Sequence, residues 1–247
     1  MKEQKNHSKL FKIDGVGVNL SRFHPCSKEE KTELRAELGY SEKDFILIYT
    51  AEFIPRKNHK LIFDVLPELK KNIPELKLIF CGKGELLEFY KDYCNKNCFD
   101  FVFLPGYTRK VDLYYKISDV CVSASLQEGQ GLNLVESMAT GLPVVASFIR
   151  GHADVINNGW NGILFNLKNP SSFIDAIILL YKNPSLCAEM GKRNIEESKK
   201  YSVDIAVQKM ADIYENLITE NNGGGYKRKV ILKNHRSSSF VKIKEAA

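Results

Sequence analysis

The sequence predicts an α/β fold with a doubly wound parallel sheet. Two observations carry that prediction. Runs that are apolar throughout alternate along the chain with stretches of helical periodicity, and several of those runs end in turns that contain glycine. A strand without polar alternation is buried on both faces, and a parallel sheet covered by crossover helices buries it that way.

The elements follow in order. Residues 45–50 (Phe-Ile-Leu-Ile-Tyr-Thr) form the first buried strand. A helix is expected over 57–72, with Leu61, Ile62, Val65 and Leu69 on one face. Residues 76–81 are the second strand, closing on Gly82-Lys83-Gly84. That turn lacks the third glycine of a dinucleotide fingerprint, since Leu87 stands there, so it supports NAD only weakly. A helix over 84–97, a strand over 101–104, a short helix near 109–117 and a strand over 120–124 come next. Gly131 opens a helix, Gly141 ends it, and Pro143 leads a strand over 143–147. A strand over 162–165 and helices near 170–182, 184–199 and 203–219 complete the body. Ligands of such sheets bind at the carboxyl ends of the strands. The turns at 51–57, 82–84, 105–108 and 126–131 are therefore expected on one rim.

Charge and cysteines narrow the function classes. The net charge of +6 resides in residues 226–247, with seven Lys or Arg against Glu245; the other residues carry 29 basic and 29 acidic groups. A body with no basic excess is a poor partner for nucleic acid. The tail follows Gly223-Gly224-Gly225 and reads as a solvated extension, with contact to acidic lipid as the alternative. Among six cysteines, Cys81 and Cys121 fall in strand runs and read as packing residues. Cys94 and Cys98 have no second ligand pair nearby, so no metal site is expected. No apolar run reaches the ~18 residues that span a bilayer, and no secretory leader is read, which predicts a cytoplasmic chain.

The stretch from Ser123 to Ser147 carries the functional signal. A strand runs into a glycine turn that opens a helix, and Glu128 and Glu136 flank that turn with seven residues between them. Peptide N–H groups at a helix start are unpaired and partly positive, so they suit a phosphate. Gly129 and Gly131 let that backbone approach a ligand. Carboxylates on either side can accept hydrogen bonds from hydroxyls. A phosphate flanked by polyhydroxyl groups describes a nucleotide sugar.

These residues resemble the Glu-x7-Glu signature of the retaining GT-B glycosyltransferases of family 4. Three further motifs occur in the family's order. Gly15-Val-Gly-Val-Asn19 with Phe23 resembles the opening of its C-terminal domain. Residues 51–58 (Ala-Glu-Phe-Ile-Pro-Arg-Lys-Asn) resemble its basic donor loop, and 150–156 followed by Gly159 and Asn161-Gly162 resemble the loop after its fifth strand. The spelling with Glu52 and Lys57-Asn58 looks most like the capsule and exopolysaccharide branch. The resemblance covers about residues 13–218, within a domain read over 13–222. It implies a Rossmann-like domain, the C-terminal half of a GT-B fold, between a polar lead over 1–12 and a linker and tail over 223–247.

The resemblance also assigns roles. Lys57 meets the donor's diphosphate, whose negative charge grows as the glycosidic bond breaks. Arg56 stands beside it; the plain alternative is a pair of solvated charges. Many members carry Arg where this chain has Glu52, so either Arg56 or another domain's residue takes that part. Glu136 is the ribose ligand, and Glu128 meets the donor sugar near its reacting carbon as the catalytic carboxylate. The backbone of Gly129, Gln130, Gly131, Leu132 and Asn133 holds phosphates and sugar. Tyr107 lines the base pocket or is an exposed loop tyrosine. His152 meets the sugar or is structural. No cofactor and no metal are implied, because no Asp-x-Asp pair occurs; the donor is a nucleotide sugar, most commonly UDP-linked in this family.

GT-B enzymes have a second, N-terminal domain that binds the acceptor. The resemblance therefore implies a donor half completed by an N-terminal half on another chain, with peripheral contact to the inner membrane face where the acceptor is lipid-linked. Two other readings stand beside it. One is a non-catalytic nucleotide-sugar-binding module or decayed fragment. The other is a different GT-B enzyme acting on UDP-sugars, such as an epimerase.

Overall fold

The computed structural model describes residues 11, 13 and 15 and the continuous stretch 17–221. The predicted basic tail and all of the polar lead except Phe11 lie outside the described residues. Six strands form one sheet in the order β3-β2-β1-β4-β5-β6, and every pair is parallel. They are β1 (Phe45–Thr50), β2 (Leu76–Cys81), β3 (Val102–Gly106), β4 (Val120–Ser123), β5 (Val144–Ser147) and β6 (Gly162–Phe165). β4 and β5 are buried end to end and β1 at all but its two end residues, because both faces are covered.

The alternation of side chains along β1 builds two cores. Ile46 and Ile48 face a layer that includes Phe23, Tyr115, Leu134 and Met138. Leu47 and Tyr49 face the other, with Phe53, Phe63, Phe80, Tyr90 and Phe173. The first layer is supplied by α4 (Val111–Ile117) and α5 (Leu132–Ala139), the second by α2 (His59–Asn72), α3 (Leu87–Lys96) and α7 (Ser171–Lys182). Each fully buried Leu, Ile or Phe stabilises the fold by about 1.5–3 kcal/mol. His59 lies inside the second core, stacked on Phe53 with ring centroids 4.2 Å apart, and neither of its nitrogens has a hydrogen-bond partner. Burial pushes its imidazole down to about 3.

The expected strands and helices are present, with shifted ends. The helix expected from residue 57 opens at His59, after a separate 3-10 turn at Pro55–Lys57. Asn58 divides them with φ 51°, a left-handed backbone that helical residues cannot share. The third strand runs two residues further than expected, because Gly106 pairs with Cys81. The helix expected from 84 starts at Leu87, since Leu86 N–H turns back to the Phe53 carbonyl. The C-terminal helices are α8 (Pro184–Ser198) and α9 (Val203–Asn221), and α9 leaves Ile205, Val207, Met210 and Tyr214 exposed. The four-residue α6 (Arg150–Ala153) was not anticipated.

Nor was α1 (Lys28–Glu37), which is held by charge rather than by an apolar stripe. Ser27 caps it by accepting from the Glu30 N–H at 3.1 Å. Arg35 is buried and donates to the carbonyls of Ile117, Glu42 and Asp44 and to Asp119, the last at 2.7 Å. Asp119 also accepts from Lys31 and from the Ile46 N–H, both at 2.8 Å, so one carboxylate joins α1, β1 and β4. Removing one member of a buried ion pair leaves the other uncompensated. Arg35→Ala is therefore expected to lower unfolding stability by about 3 kcal/mol. Urea denaturation checks this, and a loss below about 1 kcal/mol would show that α1 is dispensable to the sheet.

Candidate functional site

The strand order reverses between β1 and β4, and a crevice opens there because their crossovers leave in opposite directions. The segments after these two strands meet across it. Leu126 N–H donates to the Arg56 carbonyl at 2.9 Å, and Arg56 Nη1 donates to the Gln127 carbonyl at 3.1 Å. Asn133 Nδ2 donates to the Thr50 carbonyl at 3.0 Å. The basic loop and the two-glutamate turn thus form one rim, as the sequence implies.

Glu128 points down into this rim with 9 % of its side chain exposed. Its Oε1 receives the Lys57 ammonium and, at 2.7 Å, the Ser125 hydroxyl. Burial alone would push the carboxyl up. The hydrogen bonds from Lys57 and Ser125 and the Lys57 charge outweigh that and hold it below the usual range. Arg56 is half exposed, with Nη1 3.8 Å from Glu128 Oε2. Lys57 therefore pairs with Glu128 in the free protein, although the sequence motifs set the two on different parts of a donor.

Helix α5 begins behind the turn. Gly131 occupies its cap with φ 69° and offers no capping side chain, and the first internal bond is Leu134 N–H to the Gly131 carbonyl. The N–H groups at the start of α5 are left for a ligand or solvent. Gly129 has open space on its Cβ side. Gly151 on α6 has none: a Cβ there would meet the Glu128 carbonyl oxygen at 2.4 Å, so the turn rests on that glycine.

Glu136 lies one turn inside α5 and has a different environment. Burial pushes its carboxyl up to about 7, moderated by the Tyr115 hydroxyl and the Arg22 charge. Tyr115 Oη donates at 3.4 Å to Glu136 Oε2 and lies 3.1 Å from the Asn133 carbonyl. Arg22 itself pairs with Asp112 at 2.7 Å and with the Arg109 carbonyl.

The other expected residues separate. Leu132 and Asn133 open α5 on the rim, and Gln130 packs against Gly15. Tyr107 is 69 % exposed, with Lys83 Nζ 5.9 Å from its ring centre. His152 is fully buried; with Nδ1 2.9 Å from the Ser147 carbonyl and Nε2 3.3 Å from Ser123 Oγ, it supports the floor of the glycine turn. Cys81, Cys94 and Cys121 are buried. Among the described residues no group of three His, Cys, Asp or Glu is placed to hold a metal ion, and no helix is long and apolar enough to cross a membrane. A cavity of about 600 Å³ lined by Phe148, Asp154, Trp160 and Tyr201 lies apart from the rim and contains none of the predicted donor residues. Tyr49, Thr50, Tyr115 and Ser125 were not singled out by sequence. Their place at or beside the carboxyl ends of β1 and β4 was the available signal for Tyr49, Thr50 and Ser125.

The family model for glycosyl transferases group 1 matches residues 30–197, more than half of the chain. This chain belongs to that family. EpsD of Bacillus subtilis (strain 168), named as a glycosyltransferase, is 35 % identical over 212 residues, which are 85 % of this chain and 56 % of EpsD. The UDP-Gal:alpha-D-GlcNAc-diphosphoundecaprenol alpha-1,3-galactosyltransferase of Escherichia coli is 27 % identical over 82 % of this chain and 53 % of its own length. The chain spans about half the length of these curated relatives. In fold it matches Anabaena HepE, solved in complex with UDP and glucose, with a TM-score of 0.71 at 19 % identity, covering 80 % of this chain and 55 % of HepE. The fold is the Rossmann-like C-terminal half of a GT-B protein.

The raised Glu136 carboxyl has a consequence for stability. Between the ordinary carboxyl value and about 7 the folded state holds a proton that the unfolded state has released, so this group's contribution is full below about 4.5 and is lost as pH rises through about 7. Glu136→Gln removes that loss. The variant is expected to match wild type near pH 5 and to exceed it by about 2 kcal/mol at pH 8. Thermal unfolding at the two pH values decides it, and an equal difference at both would contradict the burial argument.

Proposed function

We propose that this chain is the donor-binding half of a retaining glycosyltransferase, transferring a sugar from a UDP-sugar to a glycan or lipid-linked acceptor in surface polysaccharide synthesis. The observation that carries this reading is the convergence of Lys57, Glu128 and the uncapped start of α5 at the β1/β4 crevice. A diphosphate there would meet a helix N-terminus and the cations Lys57 and Arg56, the latter standing in for the arginine that Glu52 replaces. Those groups stabilise the charge that develops on the leaving nucleoside diphosphate. The ribose hydroxyls would donate to Glu136, and the sugar would lie against Glu128. Gly129, Gln130, Gly131, Leu132 and Asn133 would wrap phosphates and sugar, with Tyr107 beside the base.

Transfer also requires an acceptor site and exclusion of water from the reacting bond. An N-terminal half facing the rim would provide both and would cover the apolar side of α9. The names of EpsD and of the diphosphoundecaprenol galactosyltransferase support a polysaccharide and lipid-linked context.

Calorimetry with UDP and with UDP-sugars tests the donor site. Binding is expected in the presence of EDTA. Lys57→Ala and Glu136→Ala should each weaken UDP by about 1–3 kcal/mol, the usual worth of a charge-assisted hydrogen bond. Glu128→Ala should weaken the UDP-sugar while leaving UDP no weaker, because it also frees Lys57. Absence of UDP binding at millimolar concentration, or its abolition by EDTA, would refute the reading.

A further inference from the structure

Among the described residues, Glu128 is held by one oxygen only. Lys57 and Ser125 both bind Oε1, while Oε2 receives no hydrogen bond from them and faces Arg56 at 3.8 Å. The two partners differ in freedom. Lys57 reaches in on a long side chain that is 15 % exposed. Ser125 is fully buried just after β4, and its carbonyl accepts the Ser147 hydroxyl at 2.6 Å; the Tyr49 hydroxyl lies 3.0 Å from Ser125 Oγ and donates to the Lys57 carbonyl at 2.7 Å. The Lys57 carbonyl and the Glu128 carboxylate can only accept, so the Tyr49 proton serves the first and the Ser125 proton the second. Tyr49 thus fixes the backbone of the loop that carries Lys57, while Ser147 fixes the backbone of Ser125.

Resting on the donor-site reading above, we propose that Ser125 is a positioning residue: it keeps Glu128 aimed at the donor sugar when Lys57 turns from Glu128 to the diphosphate. A phosphate at the crevice competes for the Lys57 charge. Glu128, still buried, then keeps a donor only at Ser125, which cannot follow the lysine because its hydroxyl is fixed by the strand end. Oε2 stays open for a sugar hydroxyl. Without Ser125, a carboxylate released by Lys57 has, among the described residues, the half-exposed Arg56 as its neighbouring cation and follows it toward solvent, away from the sugar. The free-state ion pair is in this view an exchangeable partner, and the serine is the constant one.

The test compares UDP with the tightest binder among UDP-glucose, UDP-galactose and UDP-N-acetylglucosamine on the whole chain. Wild type is expected to bind that UDP-sugar more tightly than UDP. In Ser125→Ala this preference should fall about tenfold, the size of a hydrogen bond to a charged group. Ser125→Thr, which keeps the hydroxyl, should retain it. A merely structural role would weaken both ligands alike and leave the preference unchanged, which would overturn the proposal, as would an unchanged Ser125→Ala. A second readout follows the Glu128 carboxyl carbon by NMR: its titration midpoint should rise when UDP is added and rise further in Ser125→Ala. A midpoint that ignores UDP would show that Lys57 does not turn. Failure of wild type to bind UDP at all would refute the donor site itself, and so is distinguishable from failure of the serine's role.

Discussion

Because every strand of the sheet is parallel, each connection must cross a face as a helix, and every strand ends on the same side. The order reversal between β1 and β4 then leaves one place where no crossover fills the space above the sheet. Lys57 comes from the segment after β1 and Glu128 from the segment after β4. Their meeting follows from topology, with local sequence supplying the charges.

The two signature carboxylates are both partly buried yet respond in opposite directions. Glu128 has a cation in direct contact and a hydroxyl donor, which together outweigh the cost of burial. Glu136 has a long hydrogen bond from Tyr115, while Arg22 is engaged by Asp112. A carboxyl with such partners stays closer to neutral in a low-dielectric site. One fold therefore holds an anion and a near-neutral acid on opposite sides of a single glycine turn, through partners drawn from the segments after β1 and β4 and from α4.

The strands were legible because their burial leaves no polar alternation, and the turns after them because glycine punctuates them. What was missed has a common physical cause. Helix α1, with Lys28, Glu29, Glu30 and Lys31 in its first turn, has almost no apolar periodicity, and its attachment through Arg35 and Asp119 joins residues 84 positions apart. Asn58 belongs to a residue type that tolerates the left-handed region, yet the helical pattern around it masked the turn that separates Lys57 from α2. At the site, the signature residues were readable because their spacing is local. Tyr49 and Tyr115 act by converging from different elements, which no spacing in one stretch records, whereas Ser125 stands three residues before Glu128 inside the signature stretch and was passed over. His152 read as a candidate ligand because a histidine in a loop has several fates, and only burial distinguishes them.

His59 carries a consequence of another kind. A buried imidazole among aromatic rings, with no partner for either nitrogen, is tolerable only while it is neutral. Its contribution is complete above the ordinary histidine value and drains away as pH falls toward about 3, since the unfolded chain accepts the proton first. It stands two residues after Lys57 and stacks on Phe53, so acid strikes the domain beneath the loop at the β1/β4 crevice. The acid limit of the fold and the loop that carries Lys57 thus share a foundation, and amide exchange in mild acid would see residues 53–60 loosen before the sheet.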